Sequence, residues 1–352
     1  MITTDYIATP GHSTLRSAEA SLVLRPLRLA VKAVGKWVGM ALALLLCMPL
    51  ATYSQTFPSK PIRLVVPFAA GGGNDLLARI ISQKFLEKWG HAVIVDNRPG
   101  AGGNLGADFV AKAPPDGHTI LLGTNTLTMN PFIFAKIPFD TQRDFAPVAM
   151  IATTPFYVVV NNNLPVKNVP ELIAYAKANP GKLSYATPGI GTPHHLGTEL
   201  FKSMTGTFMV HIPYRGSIPA ITDVMSGQVQ VMWATVNVAL PFVATGKLRG
   251  LAFAELKRVA SQKDVPVVAE TVPGYEVSAW YGIFAPAATP PAIVQQLSAE
   301  LQVIFQQPDV QARLLPLGYE MSIGNSEQVR EIISRDLEKW NKVVKAAGIR
   351  PE

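Results

Sequence analysis

From Ile62 onward, short apolar runs alternate with stretches of helical period, and this alternation narrows the fold further than any other property of the chain. Residues 62–68, 92–95 and 119–122 read as strands. Between the first two lies a stretch that puts Leu76, Leu77, Ile80, Ile81, Phe85 and Trp89 on one helical face, with Asn74 or Asp75 as its cap. A glycine-rich turn at residues 99–104 leads into a second helix over 105–113. The middle of the chain repeats the logic. Residues 157–160, 183–186, 210–213, 229–233 and 248–254 read as strands, with helices near 217–226 and 237–245. Another helix is capped by Asn168, carries Pro170 and Glu171 in its first turn and is stopped by Pro180-Gly181. The tail is helical over 291–306, 309–315 and 326–347. Such alternation is the pattern of an α/β protein with parallel strands. Two extended stretches, 149–160 and 280–286, lack matching βα units and read as crossings between lobes. If both cross, residues 57–155 and 282–352 form one lobe and residues 156–281 the other.

Two glycine-rich turns stand out, each between a strand and a helix. The first runs Ala69-Ala70-Gly71-Gly72-Gly73-Asn74-Asp75, and the second Thr187-Pro188-Gly189-Ile190-Gly191-Thr192-Pro193-His194-His195. A helix start leaves backbone N–H groups unpaired at the positive end of the helix dipole, so an anion is the natural partner. Two such turns over a hundred residues apart point to an anion gripped between two lobes. Tyr214-Arg215-Gly216 ends a strand before a third helix start. Arg215 there is either a bidentate partner for a carboxylate or a solvated surface charge.

Other chemistries find little footing. The glycines at 71–73 are not followed by Lys-Ser/Thr, so a phosphate loop fails, and Gly100, Gly102 and Gly106 miss the dinucleotide spacing. There is no HExxH and no GxSxG. His194 and His195 are adjacent and point different ways on a helix, which argues against one shared metal and for a polar role at the helix start. No metal, cofactor or catalytic residue is expected. The formal charge of +7 is mild, and part of it sits in residues 1–54, where Arg16, Arg25, Arg28, Lys32 and Lys36 outnumber Asp5 and Glu19. No block of basic residues marks a nucleic-acid surface.

Residues 1–54 read as an export segment. A basic region from Arg25 to Lys36 precedes a short uncharged apolar run over residues 38–50, and small or polar residues follow at Ala51, Thr52 and Ser54. The run is short for a membrane anchor, the competing reading. Cleavage near Ser54 is expected, and translation could start downstream, at Met40 or an alternative codon. The single cysteine, Cys47, lies inside the run, so the mature chain would hold no thiol.

The chain resembles the periplasmic solute-binding proteins of tripartite tricarboxylate transporters, the Bug receptors, from about Phe57 to Gly348. The resemblance is carried by Phe57–Ile62, by Val66-Pro67-Phe68 with its glycines and Asp75, and by Val95-Asp96-Asn97-Arg98-Pro99-Gly100-Ala101-Gly102-Gly103. It continues through Pro115-Asp116-Gly117, Asn130-Pro131, Thr187 to Thr192 with His195-Leu196, Pro213-Tyr214-Arg215-Gly216, Gly246-Lys247-Leu248-Arg249, and Pro286 before Thr289-Pro290. It implies an α/β, two-lobed periplasmic-binding-protein-like fold (type II-like). Each lobe would be a mixed sheet flanked by helices, joined by two crossing strands and closing on a small carboxylate. Carried over, the ligand-binding residues are Ala69 to Asp75, then Thr187, Gly189, Gly191, Thr192 and His195, with Tyr214 and Arg215 at the strand end. The partners implied are membrane subunits of a tripartite tricarboxylate transporter, with the receptor a monomer. One departure bears on the ligand. The family often reads Gly-x-Val-Asp followed by Phe-Asp, whereas Gly227 to Ala234 here hold no carboxylate, which leans away from amino acids and toward dicarboxylates, hydroxy acids or aromatic acids. A periplasmic sensor and an exported carboxylate enzyme stay open as alternatives.

Overall fold

The computed structural model describes residues 57–259, 262–346, 348, 349 and 351. The export segment expected at 1–54, with Cys47, lies outside the described residues.

The chain opens with strand β1 (Ile62–Val66), whose residues are almost all buried. Helix α1 (Gly73–Trp89) follows and packs Leu77, Ile80, Ile81 and Phe85 inward. It ends where Gly90 takes a left-handed conformation (φ 69°) and its N–H bonds the Leu86 carbonyl. Next come β2 (Val93–Asn97), α2 (Asn104–Ala111), β3 (Thr119–Thr124) and the single turn α3 (Thr126–Met129). The long strand β4 (Phe145–Val160) leads to α4 (Val169–Ala178), β5 (Ser184–Thr187), α5 (Pro193–Thr205), β6 (Val210–Pro213) and α6 (Ser217–Ser226). Then follow β7 (Val231–Thr235), α7 (Val236–Ala244), β8 (Arg249–Phe253) and β9 (Ser278–Pro286), and the chain closes with α8 (Pro291–Gln306), α9 (Pro308–Leu314) and α10 (Ser326–Ala346).

The strands hydrogen-bond in the order β2-β1-β3-β9-β4-β7-β5-β6, with β8 on the other side of β4. Helical crossovers make β1, β2 and β3 parallel, and likewise β5, β6 and β7. The sheet is mixed, as expected, with its antiparallel pairs at the middle of the path. There β9 runs antiparallel to β3 and β4, and β4 runs antiparallel to β7 and β8. The reason is the connectivity: these strands carry the chain from one half of the path to the other and back. Strand β4 does so within one element, pairing with β9 over residues 145–155 and with β7 and β8 over 156–160. The return comes just before β9, where the Val277 N–H bonds Ala254 at the end of β8. Apolar residues from both halves fill the core, and α10 covers the β4–β9 region with Val329, Ile333 and Trp340.

Most expected helices begin within a residue or so of their sequence signals. The Asn168 side chain accepts from the Glu171 amide at 2.9 Å, and the Glu171 carboxylate accepts back from the Lys167 amide. The cap of α1 differs from expectation. Gly72, not Asn74 or Asp75, is the N-cap, because Asp75 sits one turn in and folds back to accept from the Gly71 amide at 3.2 Å.

Candidate functional site

The two glycine-rich turns line one small cavity of about 50 Å³. The first turn gives Gly72, Gly73 and Asn74 at the start of α1. The second gives Thr192, Pro193 and His194 at the start of α5. Two further helices begin on the same cavity: α6 presents Gly216 and Ser217, and α7 presents its N-cap Thr235. None of these four N-caps donates a side-chain acceptor to its helix. Among the described residues nothing accepts from the amides of Gly72, Gly73 and Asn74. Four helix dipoles therefore point their positive ends at one cavity, with backbone donors left over.

Strand ends supply the walls. Phe68 follows β1, Phe156 lies within β4, and Ala279 and Tyr281 belong to β9. Among the described residues no Asp, Glu, Lys or Arg lines this cavity. The His194 ring is 9% exposed, meets the edge of Phe156 (centroids 4.7 Å apart) and stays uncharged, because burial pushes its pKa down to about 3. Its two ring nitrogens, like Asn74 Oδ1, have no hydrogen-bond partner among the described residues.

The expected site residues separate into three groups. Ala69, Gly72, Gly73, Asn74 and Thr192 line the cavity. Gly189, Tyr214 and Arg215 line an adjoining, wider cleft that shares Phe68, Ala69, Pro188 and Gly216 with it. The Tyr214 hydroxyl donates to Asp223 at 2.7 Å, and Arg215 is exposed. The remaining residues line neither space and build the turns from behind. Ala70 is an exposed residue of the first turn. The Gly71 amide is taken by Asp75, whose carboxylate also accepts from Arg79 Nε at 2.8 Å. Burial alone would raise the Asp75 pKa, but these bonds and the Arg79 charge hold it below the usual carboxylate value. Gly191 packs against Asn130 and Phe134, where a side chain would collide. Thr187 Oγ bonds His211 Nε2 at 2.7 Å, and His195 stacks on His211 with centroids 4.2 Å apart. Thus His194 is part of the cavity lining, with both ring nitrogens buried, while its neighbour His195 packs behind it. Sequence reasoning passed over His194 because adjacent histidines carry no sign of which one faces inward. It also passed over the wall from β4 and β9, which come from distant segments. The α6 start at Gly216 and Ser217 was legible as a helix start but not as part of this cavity.

The first turn and the start of α6 also meet across the cleft. A methyl at Gly216 would lie 3.5 Å from the Ala69 Cβ, and one at Gly71 would lie 4.0 Å from the Ile218 side chain.

An α/β fold with an uncharged cavity walled by helix starts defines a solute-binding protein. The family model for the tripartite tricarboxylate transporter family receptor matches residues 77–349. The chain is 39% identical over 308 residues to the UPF0065 protein in the tcbD-tcbE intergenic region of Pseudomonas sp. strain P51, covering 87% of this chain and 92% of the relative. Among solved structures it is similar to R. palustris Rpa4515 with adipate (36% identity, TM-score 0.81, covering 84% of this chain and all of that one). It is also similar to MatC from Rhodopseudomonas palustris with bound malate (31% identity, TM-score 0.78, covering 82% of this chain and all of that one). The chain belongs to the tripartite tricarboxylate transporter receptor family and is a periplasmic-type solute-binding protein, not an enzyme.

Proposed function

We propose that this receptor captures a small carboxylate between two hinged lobes, residues 57–155 with 282–352 and residues 156–281. The closed form is then read by membrane subunits of a tripartite tricarboxylate transporter, with the receptor acting as a monomer. One observation carries the reading: four helices of nine or more residues start on a single cavity that contains no charged side chain. Each helix start contributes about 0.3–1 kcal/mol toward an anion, and more where it is partly buried. Each hydrogen bond from an amide to a carboxylate contributes about 1.5–3 kcal/mol. Four or five such bonds, less the cost of ordering and closure, correspond to about micromolar affinity or better. Starts α1 on one side and α5, α6 and α7 on the other belong to different proposed lobes, so the ligand gains its full contacts only on closure. Relatives with adipate and malate agree with a carboxylate guest. Residues 1–54 are proposed as the export signal, removed near Ser54.

Titration calorimetry and thermal shift with a panel of mono-, di- and tricarboxylates test the reading. A rise in melting temperature and micromolar binding for at least one acid is expected. If none binds, while neutral or cationic solutes do, the reading fails.

A further inference from the structure

The wall of the cavity holds a buried imidazole neither of whose nitrogens is bonded among the described residues. His194 occupies the first turn of α5, beside the backbone donors, and its ring is nine-tenths buried. Neither Nδ1 nor Nε2 has a partner among the described residues, and Phe156 closes one side edge-on. The next residue shows what a structural histidine looks like here: His195 Nδ1 accepts from the Gly191 amide at 3.4 Å, and its ring stacks on His211. A buried imidazole with both nitrogens unpaired is costly, so its placement needs a partner from the guest.

The chemistry of that partner follows from the ring and its surroundings. Burial keeps the imidazole uncharged at neutral pH, so it presents one N–H donor and one lone-pair acceptor. A carboxylate accepts only and serves the N–H alone. An ammonium would meet the positive ends of four helices with no carboxylate on the cavity wall to pair it. A hydroxyl carries no charge and both donates and accepts, so it can serve whichever ring nitrogen it meets.

We infer that His194 is a specificity-determining residue of this cleft and that it selects acids carrying a hydroxyl over their deoxy counterparts. The inference rests on the carboxylate-receptor reading and deepens it. The backbone amides hold the charged end of the guest, and His194 reads its uncharged polar group. A deoxy acid leaves the buried nitrogen unpaired, which weakens binding by about tenfold to a hundredfold.

The test uses calorimetry on matched pairs: malate with succinate, 3-hydroxybutyrate with butyrate, and 4-hydroxybenzoate with benzoate. The wild-type protein is expected to bind the hydroxy member at least about tenfold more tightly in one or more pairs. In His194→Leu that ratio falls to within about threefold. His194→Gln, which retains an uncharged donor and acceptor, restores part of it. Long-range proton–nitrogen spectra of the ring in the wild-type protein give a second readout that needs no variant. Saturation with the preferred hydroxy acid should shift the His194 ring nitrogens and hold the ring in one neutral tautomer. A wild-type protein that binds carboxylates without preferring any hydroxy member overturns the inference. So does selectivity that survives in His194→Leu, or a ring unaffected by saturation. If no acid binds the wild-type protein, the receptor reading itself falls, a separate outcome.

Discussion

Gly72 offers the sharpest separation of binding from folding. Its backbone lies at φ −85°, ψ 179°, ordinary extended geometry that any residue adopts, and a Cβ built there meets nothing within 4 Å. Alanine therefore fits the folded chain without strain. The less favourable helix cap costs up to about 1 kcal/mol, and the reduced freedom of the unfolded chain returns about 0.4–1 kcal/mol. The melting temperature should move by no more than about 2–4 °C. The ligand experiences something different. The methyl enters the cavity beside the amides of Gly73 and Asn74, where a carboxylate has to approach within hydrogen-bond distance. Losing one or two charge-assisted bonds costs about 2–5 kcal/mol, or about 30-fold to several thousandfold in affinity.

Gly72→Leu should abolish binding altogether. Gly206→Ala is the matched control: it lies at the left-handed end of α5 (φ 64°) and lines neither cleft. It should lower stability by about 1 kcal/mol and leave affinity alone. Calorimetry and thermal melts on the three variants decide the matter. If Gly72→Ala folds normally and binds within threefold of the wild-type protein, the first turn does not hold the ligand.

Asp75→Asn should loosen the first turn, because the carboxylate accepts from both the Gly71 amide and Arg79. A loss of about 1–3 kcal/mol in chemical denaturation is expected, together with weaker ligand binding. The same carboxylate has a depressed pKa, so its contribution is present near neutrality and is lost as pH falls through that depressed value. Burial pushes His194 and His211 down to about 3 and His195 to about 4. The unfolded chain takes up these protons below about pH 6.5 and the folded chain does not. Each ring therefore removes up to about 1.4 kcal/mol of stability per pH unit between about 6 and 4, which melts across that range would show. Glu255 runs the other way. Burial, with Glu276 and Glu320 nearby and Lys339 opposing, pushes its pKa up to about 8. The folded chain keeps this proton while the unfolded chain releases it above about 4.5, so stability falls as pH rises to about 8. Glu255→Gln should gain about 1–3 kcal/mol at pH 8.5 and close to nothing at pH 4.5.

Much of the fold was legible because periodicity and caps are local. Asn168 with Pro170 and Glu171 marks the start of α4, and Pro180-Gly181 lies just beyond its end. The direction of β4 and β9 was not legible, because antiparallel pairing at the crossing depends on which distant strands they meet. In the site, the glycine turns announced the amides of Gly72 and Gly73, since a run of three glycines exceeds what a corner requires. For Asp75 the sequence leaves two roles open, because a carboxylate near a helix start serves either a ligand or the turn's own amides; the fold shows that it bonds Gly71 and Arg79. The same holds for His195 and Tyr214, whose polar atoms are engaged by Gly191 and Asp223. What decides participation is whether a group's hydrogen bonds are already spent, and spacing along the chain does not record that.

The absence of charged side chains from the cavity wall follows from what a receptor has to do repeatedly. A buried lysine or arginine would face its own desolvation cost whenever the cleft shut without a guest, or would shift its pKa and lose its charge. Amide dipoles at the starts of α1, α5, α6 and α7 carry no formal charge, so the empty site avoids that penalty. They are also fixed by their helices and need no reorganisation when the anion arrives. On the proposed reading the guest would supply the only full charge, so closure would be favourable with a carboxylate present and weakly driven without one. Release would then need no proton transfer, because opening would separate the α1 amides from those of the other three helices. A cation introduced on this wall, as in Ser217→Lys, should therefore lower the stability of the ligand-free protein, measurable by thermal melts, because the ammonium has to be desolvated there. An unchanged melting temperature with the lysine still charged would refute the argument.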